Sequence, residues 1–183
     1  MEARTPKESD TTITELMIPS YANFGGKIHG GILLSLMDKV AYACATKHAG
    51  NYCVTVAVDT VDFLQPVEVG DLVSLLARVN HVGTTSIVVG IKVTAENVKQ
   101  KSIKHTNTSY FTMVAKDDDD KPAIVPPLSL TSPSEVRRFA DAILRKRLKG
   151  YEREEMDKSR ADFDLKEELE TLKDARCVID MDI

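Results

Sequence analysis

Tryptophan is absent from the 183 residues, and aromatic side chains make up only 5% of them. A hydrophobic core must therefore be built mainly from Val, Ile, Leu, Ala and Met, for which a hydrophobic fraction of 43% suffices. The three cysteines, Cys44, Cys53 and Cys177, form an odd set without a CxxC pair, so no disulfide framework is expected. No uninterrupted apolar run approaches the roughly 20 residues that a membrane span requires.

Positive charge is also scarce, because 24 Lys and Arg stand against 28 Asp and Glu, giving a net charge of −4. An acidic chain is a poor general binder of nucleic acid, so we expect no nucleic-acid partner. The polar N-terminal stretch MEARTPKESD lacks the apolar centre of a signal peptide. Together with the cysteine usage, this favours a cytoplasmic location and no membrane span.

Charge divides the chain in two, since residues 134–183 hold 26 charged residues in 50 and the rest of the chain holds the other 26. The change falls in the proline- and serine-rich stretch PAIVPPLSLTSPSE. We predict a functional domain at residues 8–122, then a Pro-rich connector and a charged helical C-terminal extension at residues 123–183. An apolar stripe at helical spacing predicts that the extension packs on the domain or on a neighbouring subunit: Val136, Phe139, Ala140, Ile143, Leu144 and Leu148.

The first 122 residues read as one long helix among strands. A loop with four glycines in residues 25–31 precedes an apolar helix predicted at residues 32–48, whose apolar positions cover nearly its whole circumference and predict that it is buried. Segments rich in β-branched residues predict strands at 11–18, 54–64, 72–82, 86–98 and 103–115. The links between the last four are too short for parallel crossovers. The pattern predicts an α+β fold, an antiparallel sheet curled around one helix.

Three segments carry a resemblance to a known family. They are NFGGKIHGGILLSLMDKVA (Asn23–Ala41), VTVAVDTVDFLQPVEVGD (Val54–Asp71) and ARVNHVGTTSIVVGIKV (Ala77–Val93). Their order and spacing resemble the acyl-CoA thioesterase branch of the hotdog fold, over roughly Thr11 to Lys121. The resemblance implies homodimers with active sites at the subunit interface, commonly assembled as trimers of dimers, that is, hexamers.

Asp38 is the most informative residue. Aspartate is a poor helix former, and no cation lies three or four residues away to neutralise it. Buried, it would be a costly, uncompensated carboxylate with a raised pKa; alternatively it occupies a solvated stripe beside Ser35 and Tyr42. The resemblance implies that Asp38 is the catalytic carboxylate, acting either as general base on a water or as nucleophile forming an anhydride.

The glycine-rich loop supplies the other candidate catalytic groups. The start of a helix exposes amide N–H groups that suit a developing oxyanion, although Gly30 and Gly31 could equally form an entry turn. The resemblance implies that one of these amides polarises the thioester carbonyl, with Gly31 as first choice and Gly30 as second. It also implies a role near the scissile bond for Asn23 of the other subunit, whose alternative is an Asx-type turn. We interpret His29 as a structural side chain that orients the loop.

The run NHVGTTS forms a turn whose amides and hydroxyls could hold a phosphate or pantetheine, or it is an ordinary hairpin. The resemblance implies that this turn contacts coenzyme A through Asn80, Gly83, Thr84, Thr85 and Ser86. Partners for the nucleotide phosphates cannot be ranked among the nearby cations: Arg78, Lys99, Lys101, Lys104, Lys116 and Lys121. Coenzyme A is then part of substrate and product, no cofactor is expected, and no pair of histidines has metal-ligand spacing.

The leading interpretation is an enzyme that hydrolyses fatty acyl-CoA to the free acid and CoA. The alternative is a non-catalytic acyl-CoA-binding or sensing protein of the same fold, against which Asp38 argues. A hydratase or dehydratase ranks third, because the loop lacks the His and acidic pair by which those enzymes resemble one another.

Overall fold

The computed structural model, which describes residues 1–181, contains one five-stranded antiparallel sheet. Its strands are β1 (Thr11–Leu16), β2 (Tyr52–Val58), β3 (Leu72–Val82), β4 (Ser86–Asn97) and β5 (Ser102–Lys116), in the spatial order β1-β3-β4-β5-β2. The helices are α1 (Gly30–Ala49), α2 (Pro133–Ala161) and α3 (Leu165–Thr171). The sheet curls around α1, so the predicted α+β hotdog architecture is confirmed.

Alternation along the strands builds the core against α1. On β3 the inward side chains Val73, Leu75 and Val79 are almost completely buried, and the corresponding positions of β4 are equally buried. Both strands match, to within one residue, the bounds predicted from their β-branched residues. The predicted strand at 54–64 is too long, because β2 ends at Val58 and the next residues follow β5 only through single hydrogen bonds, such as Leu64 N to Thr106 O at 2.8 Å.

The sheet wraps around helix α1 but does not bury it on every side. This corrects the prediction of a helix that is buried around nearly its whole circumference. Met37, Val40 and Ala41 are fully buried, whereas the stripe formed by Leu34, Ser35, Asp38 and Tyr42 is exposed in the single chain. The helix ends at Gly50, whose φ of 75° is left-handed and whose N–H bonds to Thr46 O. The guanidinium of Arg4 adds hydrogen bonds to the last carbonyls, which suits the negative end of the helix dipole.

Residues 123–132, predicted as a connector, run along the domain. Val125 is buried and its N–H bonds to Thr84 O at 3.0 Å, while Arg4 N bonds to Pro127 O at 2.9 Å. The first compact unit accordingly comprises residues 1–142, and the residues from Ile143 onward form a second unit.

Helix α2 begins as predicted, with Glu135 at its start. The Glu135 carboxylate accepts hydrogen bonds from Thr131 N and Ser132 N, which lower its pKa, and Ser132 Oγ accepts one from Glu135 N. On the part of α2 that belongs to the first unit, however, the buried side chains are Glu135 and Ala142, while Val136 of the predicted stripe is half-exposed. Phe139 packs on the ring of His81, with centroids 4.5 Å apart. Among the described residues, no helix is both long and apolar enough to cross a membrane.

A buried histidine makes the stability of the domain depend on pH. His48 is 1% exposed and its Nε2–H donates to Pro126 O at 2.9 Å. Burial lowers its pKa below the ordinary 6.5 and outweighs the hydrogen bond to Pro126 O, which raises the pKa; the charge of Arg4 lowers it further and that of Glu8 raises it. Below pH 6.5 the unfolded chain binds a proton that the folded chain resists, so the free energy of unfolding falls.

We therefore expect His48→Gln to flatten the loss of stability between about pH 6.5 and 5, because glutamine can still donate to Pro126 O but does not titrate in this range. Urea unfolding at a series of pH values measures this slope. The exposed His105→Gln is the matched control and should keep the wild-type slope. An unchanged slope in His48→Gln would contradict the assignment.

Truncating the chain at two positions should distinguish the contribution of the start of α2 to stability from that of the rest of the helix. Ending the chain after Ser132 removes the Glu135, Phe139 and Ala142 contacts and should lower Tm by several degrees, since losing one buried apolar side chain costs about 2–3 kcal/mol. Ending it after Gly150 keeps these contacts and should leave Tm within about two degrees. Calorimetry of both truncations checks the difference. Equal Tm values for the two would show that the start of α2 does not stabilise the domain.

Candidate active site

The Asp38 carboxylate lies on the exposed stripe of α1 and accepts a hydrogen bond from Thr55 of β2. The distance from Thr55 Oγ1 to Asp38 Oδ1 is 2.6 Å, and Thr55 Oγ1 also lies 3.2 Å from Met113 Sδ. Pairing between β2 and β5 changes register between Thr55 and Ala57, which leaves Val56 as an extra residue. This β-bulge sits beside the residue that faces α1, a common place for a bulge to direct a side chain.

Sequence reasoning missed Thr55. Threonine is common in β-strands because its branched side chain suits the strand conformation. Its presence in β2 therefore does not by itself indicate a functional role. The available clue was that β2 had to pass close to the polar residue in α1.

A groove of about 360 Å³ opens beside the two residues. It continues past Lys39 to Tyr42 of α1 and Tyr52 of β2, whose rings lie 6.0 Å apart. No salt bridge to Asp38 is found among residues 1–181. Of the two alternatives considered for Asp38, the single chain places it on the solvated stripe and not in a buried position.

A second candidate nucleophile in this groove, the thiol of Cys53, is buried, and burial raises its pKa. Burial raises the pKa of Cys44 further, to about 12. Both side chains therefore remain thiols near neutral pH and serve as small hydrophobic groups. Among the described residues, no cluster of three His, Cys, Asp or Glu side chains could hold a metal ion.

The first turn of α1 is capped by His29. Its Nδ1 accepts a hydrogen bond from Gly31 N at 2.9 Å, and a Cβ on Gly31 would lie only 3.0 Å from that nitrogen. A side chain at position 31 would therefore require the His29 ring to move by a few tenths of an ångström. Within the described residues, the Gly30 N–H has no acceptor. The N–H of Gly31, our first choice for the group that polarises the carbonyl, is thus already hydrogen-bonded. The N–H of Gly30, our second choice, is available within the described part of the chain.

Asn23 forms the turn that was its alternative interpretation. Its Oδ1 accepts hydrogen bonds from Gly25 N at 2.9 Å and Lys27 N at 3.2 Å. The next residue, Phe24, is fully exposed at the tip of the loop. Within one chain, the described residues show no contact between Asn23 and Asp38.

The run predicted to contact coenzyme A is a β3–β4 hairpin closed by a hydrogen bond from Gly83 N to Ser86 O at 2.8 Å. The Thr85 carbonyl accepts from Ala115 N, which fixes the turn against β5. Gly83 and Thr84 are exposed at its tip. Asn80 is different: it lies inside β3, is 7% exposed and packs against Gly90, so it does not face solvent with the turn.

Most of the cations considered for the phosphates already have carboxylate partners. The pairs are Arg78 with Asp10, Lys104 with Asp71, Lys116 with Asp120, and Lys121 with Asp119. Lys99 and Lys101 are exposed in the β4–β5 turn.

Comparison with known proteins places these features in context. The family model described as the thioesterase superfamily matches residues 25–102. Protein VdlD of Helicobacter pylori is 44% identical over 149 residues, covering 80% of this chain and 85% of that protein. An apo-hexameric acyl-CoA thioesterase of known structure is 34% identical with a TM-score of 0.77, covering 90% of this chain and all of that one.

The acyl-CoA hydrolase of Staphylococcus aureus, solved with butyryl coenzyme A, coenzyme A and coenzyme A disulfide, is 30% identical with a TM-score of 0.77, covering 87% of this chain and 97% of that one. Three of its alanine variants have been solved, at an Asn, an Asp and a Thr. The Asn and Asp lie 15 residues apart and the Asp and Thr 17 residues apart. Asn23, Asp38 and Thr55 have the same two intervals.

Proposed function

The chain belongs to the thioesterase superfamily and is an acyl-CoA thioester hydrolase, and we propose that it acts on fatty acyl-CoA with Asp38 as the catalytic carboxylate. The observation that carries this proposal is the hydrogen bond from Thr55 to Asp38 at the edge of an open groove. The matching intervals among Asn23, Asp38 and Thr55 support it, because residues chosen for alanine variants in the Staphylococcus aureus hydrolase have the same types and spacing.

Asp38 serves hydrolysis by one of two routes. As a general base it removes a proton from water, the oxygen attacks the thioester carbonyl, and the C–S bond breaks as the thiolate leaves and is protonated. As a nucleophile it attacks the carbonyl itself, expels the thiolate and forms an anhydride that water then cleaves. In either route Thr55 Oγ1 holds one carboxylate oxygen, leaving the other free to react.

The negative charge that develops on the carbonyl oxygen needs a hydrogen-bond donor. The Gly30 N–H, at the positive end of α1 and without an acceptor in the described chain, is suited to this role. The Gly31 N–H, held by His29, helps to fix the turn that presents it.

One chain cannot bring these groups together. Gly30 and Asp38 are eight residues apart on a straight helix, which corresponds to about 12 Å. A two-fold axis passing near Leu34 and Ser35, at the middle of the exposed stripe, would place each Asp38 opposite the partner's helix start. The exposed side chains of the stripe and the free edge of β2 make this face suitable for a homodimer with two shared sites.

Assembly of such dimers into a trimer of dimers accords with the hexameric relative.

The β3–β4 turn remains our candidate contact for coenzyme A, through Gly83, Thr84, Thr85 and Ser86. A cytoplasmic location and the absence of a nucleic-acid partner likewise remain predictions. A non-catalytic acyl-CoA sensor would not need the hydrogen bond between Thr55 and Asp38, so this pair argues against the alternative.

The Asp38→Asn variant should nearly eliminate thioester hydrolysis, because asparagine keeps the shape but neither accepts a proton nor attacks as a carboxylate. We expect kcat to fall by about 10²–10⁴-fold or more, with CoA affinity and oligomeric state preserved. Thiol release from an acyl-CoA panel measures the rate and calorimetry measures CoA binding. Thr55→Val, which removes only the hydroxyl, should reduce kcat less. An Asp38→Asn protein with unchanged kcat would overturn the mechanism.

Shared sites predict complementation between two impaired subunits. A heterodimer of Asp38→Asn with Asn23→Ala contains one intact site, because Asn23 comes from the first subunit and Asp38 from the second. Random co-assembly should therefore restore up to about a quarter of wild-type activity. The measurements are the turnover of the co-expressed mixture and of the doubly tagged heterodimer purified from it, which should reach up to about half of wild-type activity because one of its two sites is intact, each against both parent homodimers. Activity no greater than the parents' mean would place both residues of a site on one chain.

A further inference from the structure

A second groove, of about 410 Å³, lies beside Gly30 between the glycine-rich loop, the start of α1 and the segment that joins β2 to β3. Its lining is largely apolar: Ile28, Leu33, Phe63, Pro66 and Val67. The polar members are Lys27 and Gln65, and no acidic side chain lines it. The groove therefore suits an apolar ligand that does not carry positive charge.

The walls of this groove are preformed. Ile28, Leu33 and Val67 are core residues, with exposures of 6%, 2% and 3%. The glycine-rich loop is tied to the opposite wall by the hydrogen bond from Ile28 N to Val67 O at 2.9 Å and by the ion pair of Lys27 with Glu68. A ligand could enter without a cost for ordering these segments.

Phe63 is the exception among the lining residues, because its side chain is 48% exposed. Its backbone is nonetheless fixed, since the next residue, Leu64, donates its N–H to Thr106 O at 2.8 Å. The Phe63 ring reaches the helix start, where its Cζ lies 3.3 Å from the position that a Cβ on Gly30 would take. A half-exposed aromatic ring thus packs beside Gly30 in the wall of the groove.

We propose that this groove binds the acyl chain of the substrate and that Phe63 determines the chain length that fits; the inference rests on the proposed function. A thioester whose carbonyl oxygen meets the Gly30 N–H has its first methylenes at the rim of the groove, since Gly30 lines it. The groove at Asp38 is lined by that carboxylate, Lys39 and the hydroxyl-bearing rings of Tyr42 and Tyr52, whereas no carboxylate lines the groove at Gly30. Each methylene buried in the apolar groove is worth roughly fourfold in apparent affinity.

The test compares wild type with Phe63→Ala and Phe63→Trp on butyryl-, octanoyl- and palmitoyl-CoA. Removing the ring enlarges the space beside Gly30 for the acyl chain, so Phe63→Ala should raise the palmitoyl-to-butyryl ratio of kcat/KM by about tenfold or more. The larger ring of Phe63→Trp should lower the same ratio. A change in folding alone would scale all three substrates equally, so the ratio reports on the groove. Phe63→Leu provides a milder substitution should Phe63→Ala not fold.

Phe163→Ala is the matched control, because it removes another exposed phenylalanine ring far along the chain and should leave the ratio at the wild-type value. Ratios within twofold of wild type in both Phe63 variants, or shifts in the opposite directions, would overturn the inference while leaving the hydrolase intact. Failure of the proposed function is different: wild type and Phe163→Ala would then both release no thiol from any of the three substrates. Calorimetric binding of the same acyl-CoAs gives a chain-length profile that is independent of turnover.

Discussion

Close packing between α1 and the concave face of the sheet is the constraint on which the other features depend. Ala41, Cys44 and Ala45 are fully buried on the inner face of the helix, and such small side chains let the strands approach its backbone closely. Larger residues would push the helix outward, and overpacking of this kind typically costs about 1–3 kcal/mol. The short distance between helix and sheet is also what allows Thr55 of β2 to reach Asp38.

The same helix has an unusual sequence at its start, where two glycines stand at the positive end of its dipole. Gly30 and Gly31 are poor helix formers, which is why the pattern of apolar residues predicts a helix from residue 32 and not from residue 30. His29 compensates by accepting the Gly31 N–H with its side chain, a role that Ser, Thr, Asp or Asn more often fill. Local propensity therefore predicts the helix but not its first turn.

Much of the fold was predictable because its information is local. β-Branched content and turn signals located β3 and β4 to within one residue, and Asp38 stood out because aspartate is a poor helix former, although its catalytic role was implied only by the family resemblance. The early end of β2, its bulge and the docking of Val125 against Thr84 depend on contacts between segments distant in sequence. Such contacts leave no periodic pattern of apolar residues in the sequence.

In the proposed dimer, the stripe of α1 that holds Asp38 would link assembly to chemistry. In one chain it exposes Leu34 and Tyr42 as well as the carboxylate, so the groups that would drive pairing and the group that would react share one face. Pairing across this face would remove water from the carboxylate, and the hydrogen bond from Thr55 would gain strength as the local dielectric falls. In the proposed shared site, the Asp38 carboxylate would stay solvated, although held by Thr55, until both subunits are in place.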